Sequence, residues 1–78
     1  MKIIFSEHAE IKIKQRKLSK ELINKTILAP DFIIPGNSNR ERAYKKFRTQ
    51  HLEVVFIKDG VVAIVITAHW VAKFKKQK

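Results

Sequence analysis

No cysteine occurs anywhere in the 78 residues. That excludes a disulfide framework and a thiolate metal site, and it fits the reducing cytoplasm expected as the protein's location. Glycine and proline are scarce, with two of each. Gly36 and Gly60 stand far apart, so no glycine-rich loop exists to cradle a nucleotide. Long apolar runs are missing too. The opening Ile3-Ile4-Phe5 is too short for a signal peptide, and no segment approaches the roughly 20 residues of a membrane span. No membrane partner is expected. Acidic residues number 7, and the three histidines lack metal-ligand spacing. No metal and no cofactor are therefore expected.

What the chain has instead is positive charge. Lys and Arg total 17, which leaves a formal net charge of +10. A field of that sign attracts polyanions, RNA first among them and an acidic protein second. The plainer alternative is solubility through excess charge. Part of the charge sits in a basic tail at residues 73–78, beyond a single expected domain at 1–72. Most of the rest lies within 12–20 and 40–48, inside the expected fold, where a tail alone would not put it.

Local signals then order the chain. Residues 1–5 are either an edge strand or the lead-in to a helix. Ser6 is a suitable N-cap and Glu7 suits the positive helix end, so a helix is expected over 7–17. Ile11 falls away from the Ala9 and Ile13 side, which makes it either partner-facing or an argument against the helix. Ser19 caps a second helix to about Leu28, with Leu22, Ile23, Thr26 and Ile27 as its apolar stripe. Ala29-Pro30-Asp31 ends it. A short strand at 32–34 stops at Pro35-Gly36.

Strands follow at 42–47, 51–58 and 61–68, the last two joined through Asp59-Gly60. With those two residues as the loop, Lys58 faces Val61, Leu52 faces Thr67 and His51 opposes Ala68. Thr67 and His69 then share a face with Leu52, Val54 and Phe56. Both hairpin faces are largely apolar, so the pair is expected to be central, with one face under the helices and one under a cleft or a partner. The expected architecture is α+β, two N-terminal helices on a four-stranded antiparallel meander.

The succession of Phe5-Ser6-Glu7-His8-Ala9, Arg16, Ala29-Pro30-Asp31, the strand 42–47, His51-Leu52-Glu53 and Thr67-Ala68-His69-Trp70 resembles a known pattern. It is similar to small bacterial domains related to the RelE-like and colicin D-like ribonuclease toxins, within the barnase–EndoU–colicin–RelE superfamily. The resemblance covers about residues 5–70. It implies a helical part packed on an antiparallel meander, metal-independent RNA cleavage, and an antitoxin that covers the active surface. Residue by residue, it makes His8 the helix-1 histidine and Arg16 the helix-1 cation. Arg42 and Lys46 become the basic residues of the sheet, and Thr67 the hydroxyl of the last strand. Two departures stand out. Lys12 occupies the place where an arginine usually follows the histidine by four residues, which loses the bidentate fork that grips a phosphate. Lys17 stands where a glycine often ends the helix.

Cutting RNA without a metal needs a base for the 2′-hydroxyl, an acid for the leaving oxygen, and cations for the phosphorane. Histidine titrates near neutral pH and suits either proton transfer. On a helix, His8, Lys12 and Arg16 form one slowly drifting row along which a phosphate can lie. Arg40, Arg42, Tyr44 and Lys46 offer a second set of donors and one ring for stacking. The candidate catalytic residues are therefore His8, Arg16, Thr67 and His69, and the candidate RNA contacts are Lys12, Arg40, Arg42, Tyr44 and Lys46. Each also has a bland reading. His8 suits a plain surface position, Arg16 a helix C-terminus, Arg42 and Lys46 a solvated strand face, Tyr44 a packed ring, and Thr67 an ordinary strand residue. The functional expectation is a toxin-type ribonuclease acting on single-stranded or ribosome-bound RNA, with an acidic antitoxin-like partner. The alternative is a non-catalytic module that binds RNA or a partner on the same fold.

Overall fold

The computed structural model describes residues 1–71, and two serines start the two helices among them. After strand β1 (Lys2–Phe5), the Ser6 side chain accepts from the Ala9 N–H at 3.0 Å and opens helix α1 (Glu7–Arg16). That bond satisfies a donor the first turn leaves orphaned. Ser19 accepts from the Leu22 N–H at 3.3 Å and opens α2 (Lys20–Leu28). Between them α1 closes on Lys17, held at φ 54° and ψ 45° in the left-handed region. The Leu18 N–H reaches the Ile13 carbonyl at 3.0 Å and the Lys17 N–H reaches Lys14 at 3.3 Å, a Schellman closure. A side chain at this left-handed position costs about 1 kcal/mol relative to glycine.

Strands β2 (Phe32–Pro35), β3 (Arg40–Phe47), β4 (Gln50–Asp59) and β5 (Val62–Val71) follow. The sheet runs in the order β1-β5-β4-β3-β2. It has five strands and is mixed, which corrects the expected four-stranded antiparallel meander. β1 lies parallel to β5, Ile3 opposite Ala63 and Phe5 opposite Val65, so the helices do not both precede the sheet. The physical reason is the apolar N-terminus. Ile3 and Phe5 pack against the core beside β5, and a parallel neighbour needs the long crossover that the rest of the chain supplies.

The β4–β5 hairpin is central, flanked by β3 and β1. Its loop is Gly60-Val61, since Asp59 pairs with Val62; Gly60 supplies the positive φ of 60° that a tight primed turn requires. A bulge then interrupts the ladder. Phe56 faces Val65 but Val55 faces Thr67, which leaves Ile66 as the extra residue. Together these features correct the expected register: Leu52 faces Trp70, and His51 faces Val71.

Both helices pack on one face of the sheet. Ala9 and Ile13 of α1 and Ile23 and Ile27 of α2 meet Ala43, Leu52, Val54, Phe56, Ala63, Val65 and Ala68. Burying the valine, leucine, isoleucine and phenylalanine side chains among them contributes about 1.5–3 kcal/mol each. The second face carries His51, Glu53, Val55 and Ile57 of β4, with their partners on β3 and β5. Among the described residues no helix covers it. Ile11 is 52% exposed on a helix that nevertheless forms, which settles its second alternative. The basic tail expected at 73–78 lies outside the described residues.

Candidate active site

The bulge in β5 determines which chemistry-bearing residues meet. One extra residue reverses the alternation of every side chain after it. Thr67 and His69 therefore leave the face of Leu52 and Val54, where even spacing placed them, and join that of Glu53 and Val55. Glu53 faces His69 on one side and Tyr44 on the other. The His69 Nε2 lies 2.9 Å from Glu53 Oε1, and the Tyr44 hydroxyl donates to Glu53 Oε2 through a short hydrogen bond. A carboxylate in the middle strand thus ties β5, β4 and β3 together.

The environment of this chain is graded. The Glu53 side chain is 13% exposed while that of His69 is 43% exposed, so the carboxylate is held and the imidazole meets solvent. Tyr44 is buried and stacks on Phe32 of β2, with ring centroids 4.9 Å apart and planes 15° apart. His51 is tilted against Phe32 at 6.0 Å. Burial, reinforced by the bond to Glu53, pushes the Tyr44 phenol up to about 12. At neutral pH Tyr44 is therefore a proton-bearing donor to the carboxylate and cannot act as a base. Its ring is packed and does not present an open stacking surface.

Arg16 approaches from the other side. β1 pairs only with Val62 to Val65, so the outer edge of β5 beyond it is available to α1. The Arg16 Nη1 donates to the Ala68 carbonyl at 2.9 Å and the Thr67 hydroxyl at 3.2 Å. One guanidinium nitrogen satisfies the strand edge, and the remaining donors of the fork have no hydrogen-bond partner among the described residues.

The other expected residues fall into two groups. Lys46 pairs with His51 across β3 and β4, and its backbone N–H donates to Asp31 at 2.9 Å. Arg40 and Arg42 line a cleft of about 390 Å³ with Gly36, Asn37 and Val55. His8 and Lys12 are not gathered into the Glu53 cluster. They follow Arg16 back along α1, His8 exposed in the first turn and Lys12 half-buried. Glu53, Phe32 and Asp31 carry contacts that the sequence reading assigned no role. The available signal for Glu53 was a lone carboxylate within an apolar strand, and its meaning depends on the register. Among the described residues no cluster of three or more His, Cys, Asp or Glu is placed to hold a metal. No helix among them is long and apolar enough to cross a membrane.

No protein-family model matches this chain, and no curated protein matches its sequence. A solved structure does match in three dimensions. It is the 1.1 Å crystal structure of the Brucella abortus ribonuclease toxin BrnT, at a TM-score of 0.72 and 23% identity. The likeness covers 94% of this chain and 99% of that one. The chain thus has the fold of a ribonuclease toxin over almost its whole length, and at this identity the likeness is one of fold.

Proposed function

We propose that this protein is a toxin-type, metal-independent ribonuclease of a toxin–antitoxin pair, and that RNA is cut on the uncovered face of the sheet. The observation that carries this reading is the His69–Glu53–Tyr44 chain, an oriented histidine at the solvent edge of a strongly basic surface. The shared fold with a structure described as a ribonuclease toxin supports it.

The chemistry follows from the hydrogen bonds. With Nε2 held by the Glu53 carboxylate, Nδ1 of His69 is the lone-pair nitrogen and can take the proton of a ribose 2′-hydroxyl. The 2′-oxygen attacks the adjacent phosphorus and the P–O5′ bond breaks, leaving a 2′,3′-cyclic phosphate. The departing 5′-oxygen takes a proton from water, which the open face admits. Glu53 stabilises the imidazolium that forms, and Tyr44 fixes the second carboxylate oxygen. The free donors of Arg16, anchored through Thr67 and Ala68, face the charge that develops on the phosphorane. Lys46, Arg40 and Arg42 hold flanking phosphates. His8 stands eight residues before Arg16, about 12 Å along the axis at 1.5 Å per residue. We therefore place it with Lys12 on the flanking strand rather than at the reacting phosphate.

The proposed partners are single-stranded RNA, free or on the ribosome, and an acidic antitoxin-like protein, and the proposed location is the cytoplasm. Incubation of the purified chain with single-stranded RNA in EDTA tests the reading. Fragments ending in cyclic phosphate are expected. RNA that stays intact, yet is retained with a steep loss of affinity between 50 and 200 mM salt, contradicts the enzyme and supports a binding module.

A further inference from the structure

Several cations of the described residues are already committed. Arg16 bonds Thr67 and Ala68, Lys20 pairs with Glu10, Lys25 with Glu21, and Lys45 with Asp31 and the Ala29 carbonyl. Arg40 and Arg42 form no ion pair or hydrogen bond through their guanidinium groups among the described residues. They are two residues apart on β3, on the same side of the strand, and both point into the cleft lined by Gly36, Asn37 and Val55. Their neighbours across the ladders are Ile57, Val55 and Ile34, all without charge. Glu41, between them in sequence, faces Phe56 on the other side of the sheet.

The wall of this cleft is a hydrogen-bonded turn. The Arg40 N–H returns to the Asn37 carbonyl at 3.0 Å, with Ser38 at φ 58° and Asn39 at φ 62°. The Gly36 N–H donates to the Arg40 carbonyl at 2.8 Å, and a Cβ on Gly36 would sit 3.0 Å from that same oxygen. Positive φ at both central residues is what a two-residue primed hairpin turn requires, so the β2–β3 connection shapes the cleft wall. The result is a preformed concave surface with two unpaired guanidinium groups.

Its position relative to His69 indicates what it binds. Arg42 lies two strands from His69 and one side-chain row along, since Val55 joins Arg42 to Thr67 while Glu53 joins Tyr44 to His69. Strand spacing and rise put the two Cα atoms about 12 Å apart. That is one to two phosphate steps of an extended single strand, and a single-strand site tracks the backbone with a basic groove of this kind. Taking the cleavage site proposed above as the strand's other anchor, we propose that the Arg40–Arg42 cleft is a distal phosphate subsite. It grips the RNA backbone one to two nucleotides from the cut bond and sets the minimum substrate length.

Two length series test this. Uncleavable 2′-deoxy oligonucleotides of two to five nucleotides measure binding without chemistry, and ribo-oligonucleotides of the same lengths measure kcat/KM. For the wild type, affinity rises at least tenfold between the dinucleotide and the tetranucleotide and then levels off, and kcat/KM rises with it. In the Arg40→Gln/Arg42→Gln double variant the tetranucleotide-to-dinucleotide ratio collapses to below twofold in the deoxy series, with each protein's own dinucleotide value as the denominator. An unchanged ratio in the variant, or no rise in the wild type, overturns the subsite. If no ribo-oligonucleotide or long RNA is cut, the ribonuclease reading fails, and the deoxy series still decides the subsite.

Discussion

The two faces of the central sheet differ in what their side chains are for. On the helix side, Leu52, Val54, Val65 and Ala68 are fully buried against α1 and α2, and the buried Thr26 hydroxyl donates to the Leu22 carbonyl of its own helix. On the other side the same strands present His51, Glu53, Thr67 and His69, with Glu53 tied to His69 and Tyr44, and Thr67 to Arg16. A small domain has few residues to spare, so a carboxylate, two histidines and a buried phenol on one face are a poor way to gain stability. Burying polar groups costs free energy unless each is satisfied, and here the satisfaction runs outward to a solvent-exposed imidazole. The helix face holds the fold together, and the open face is proposed to do the chemistry.

That division can be tested on both sides. The largest effect on stability is expected from Leu52→Ala, which empties a fully buried site and should cost about 2–5 kcal/mol in chemical denaturation. This is a large share of what a domain of this size possesses. A loss under about 1 kcal/mol would mean that the helix face is not the stabilising one.

Tyr44 comes next and belongs to the open face. Its phenol is raised from 10 to about 12, so the protonated form is favoured in the folded state. Stability from this group is fully present below pH 10. As pH rises from 10 to 12 the unfolded chain deprotonates first, and the contribution is lost, on the order of 1–3 kcal/mol. Denaturation of the wild type and Tyr44→Phe across that range should show the additional slope in the wild type alone, since the lysines titrate in both. Parallel curves would remove the coupling to burial and Glu53.

A smaller change is expected at the end of α1. Lys17→Gly relieves a left-handed side chain and should stabilise the chain by about 1 kcal/mol. A melting temperature that falls instead would show that the lysine contributes something its backbone geometry does not reveal.

Legibility in the sequence followed the distance over which each feature is decided. Ser6, Ser19 and Pro30 act within one helical turn, and the helix starts and stops lie where those residues indicate. The core stripe Ile23, Thr26 and Ile27 could likewise be read from helical spacing. The parallel pairing of β1 with β5 could not, because it joins residues some sixty positions apart through packing alone. The bulge at Ile66 was equally hidden. No glycine or proline marks it, and without it Thr67 and His69 belong to the buried face. The role of Glu53 depends on that bulge, so the centre of the proposed site became visible only with the register. Caps are local and a site assembled across three strands is not.

At His69 the ring is half-exposed, but removing it takes a partner from the Glu53 carboxylate, so a cost of about 1 kcal/mol is expected. The same substitution tests the central claim most directly. His69→Ala, measured by denaturation and by cleavage of single-stranded RNA in EDTA, should stay folded, within about 2 kcal/mol of the wild type, and lose about 10²–10⁴-fold in cleavage rate. A folded His69→Ala protein that cuts RNA as fast as the wild type would contradict the assignment of the chemistry to the open face.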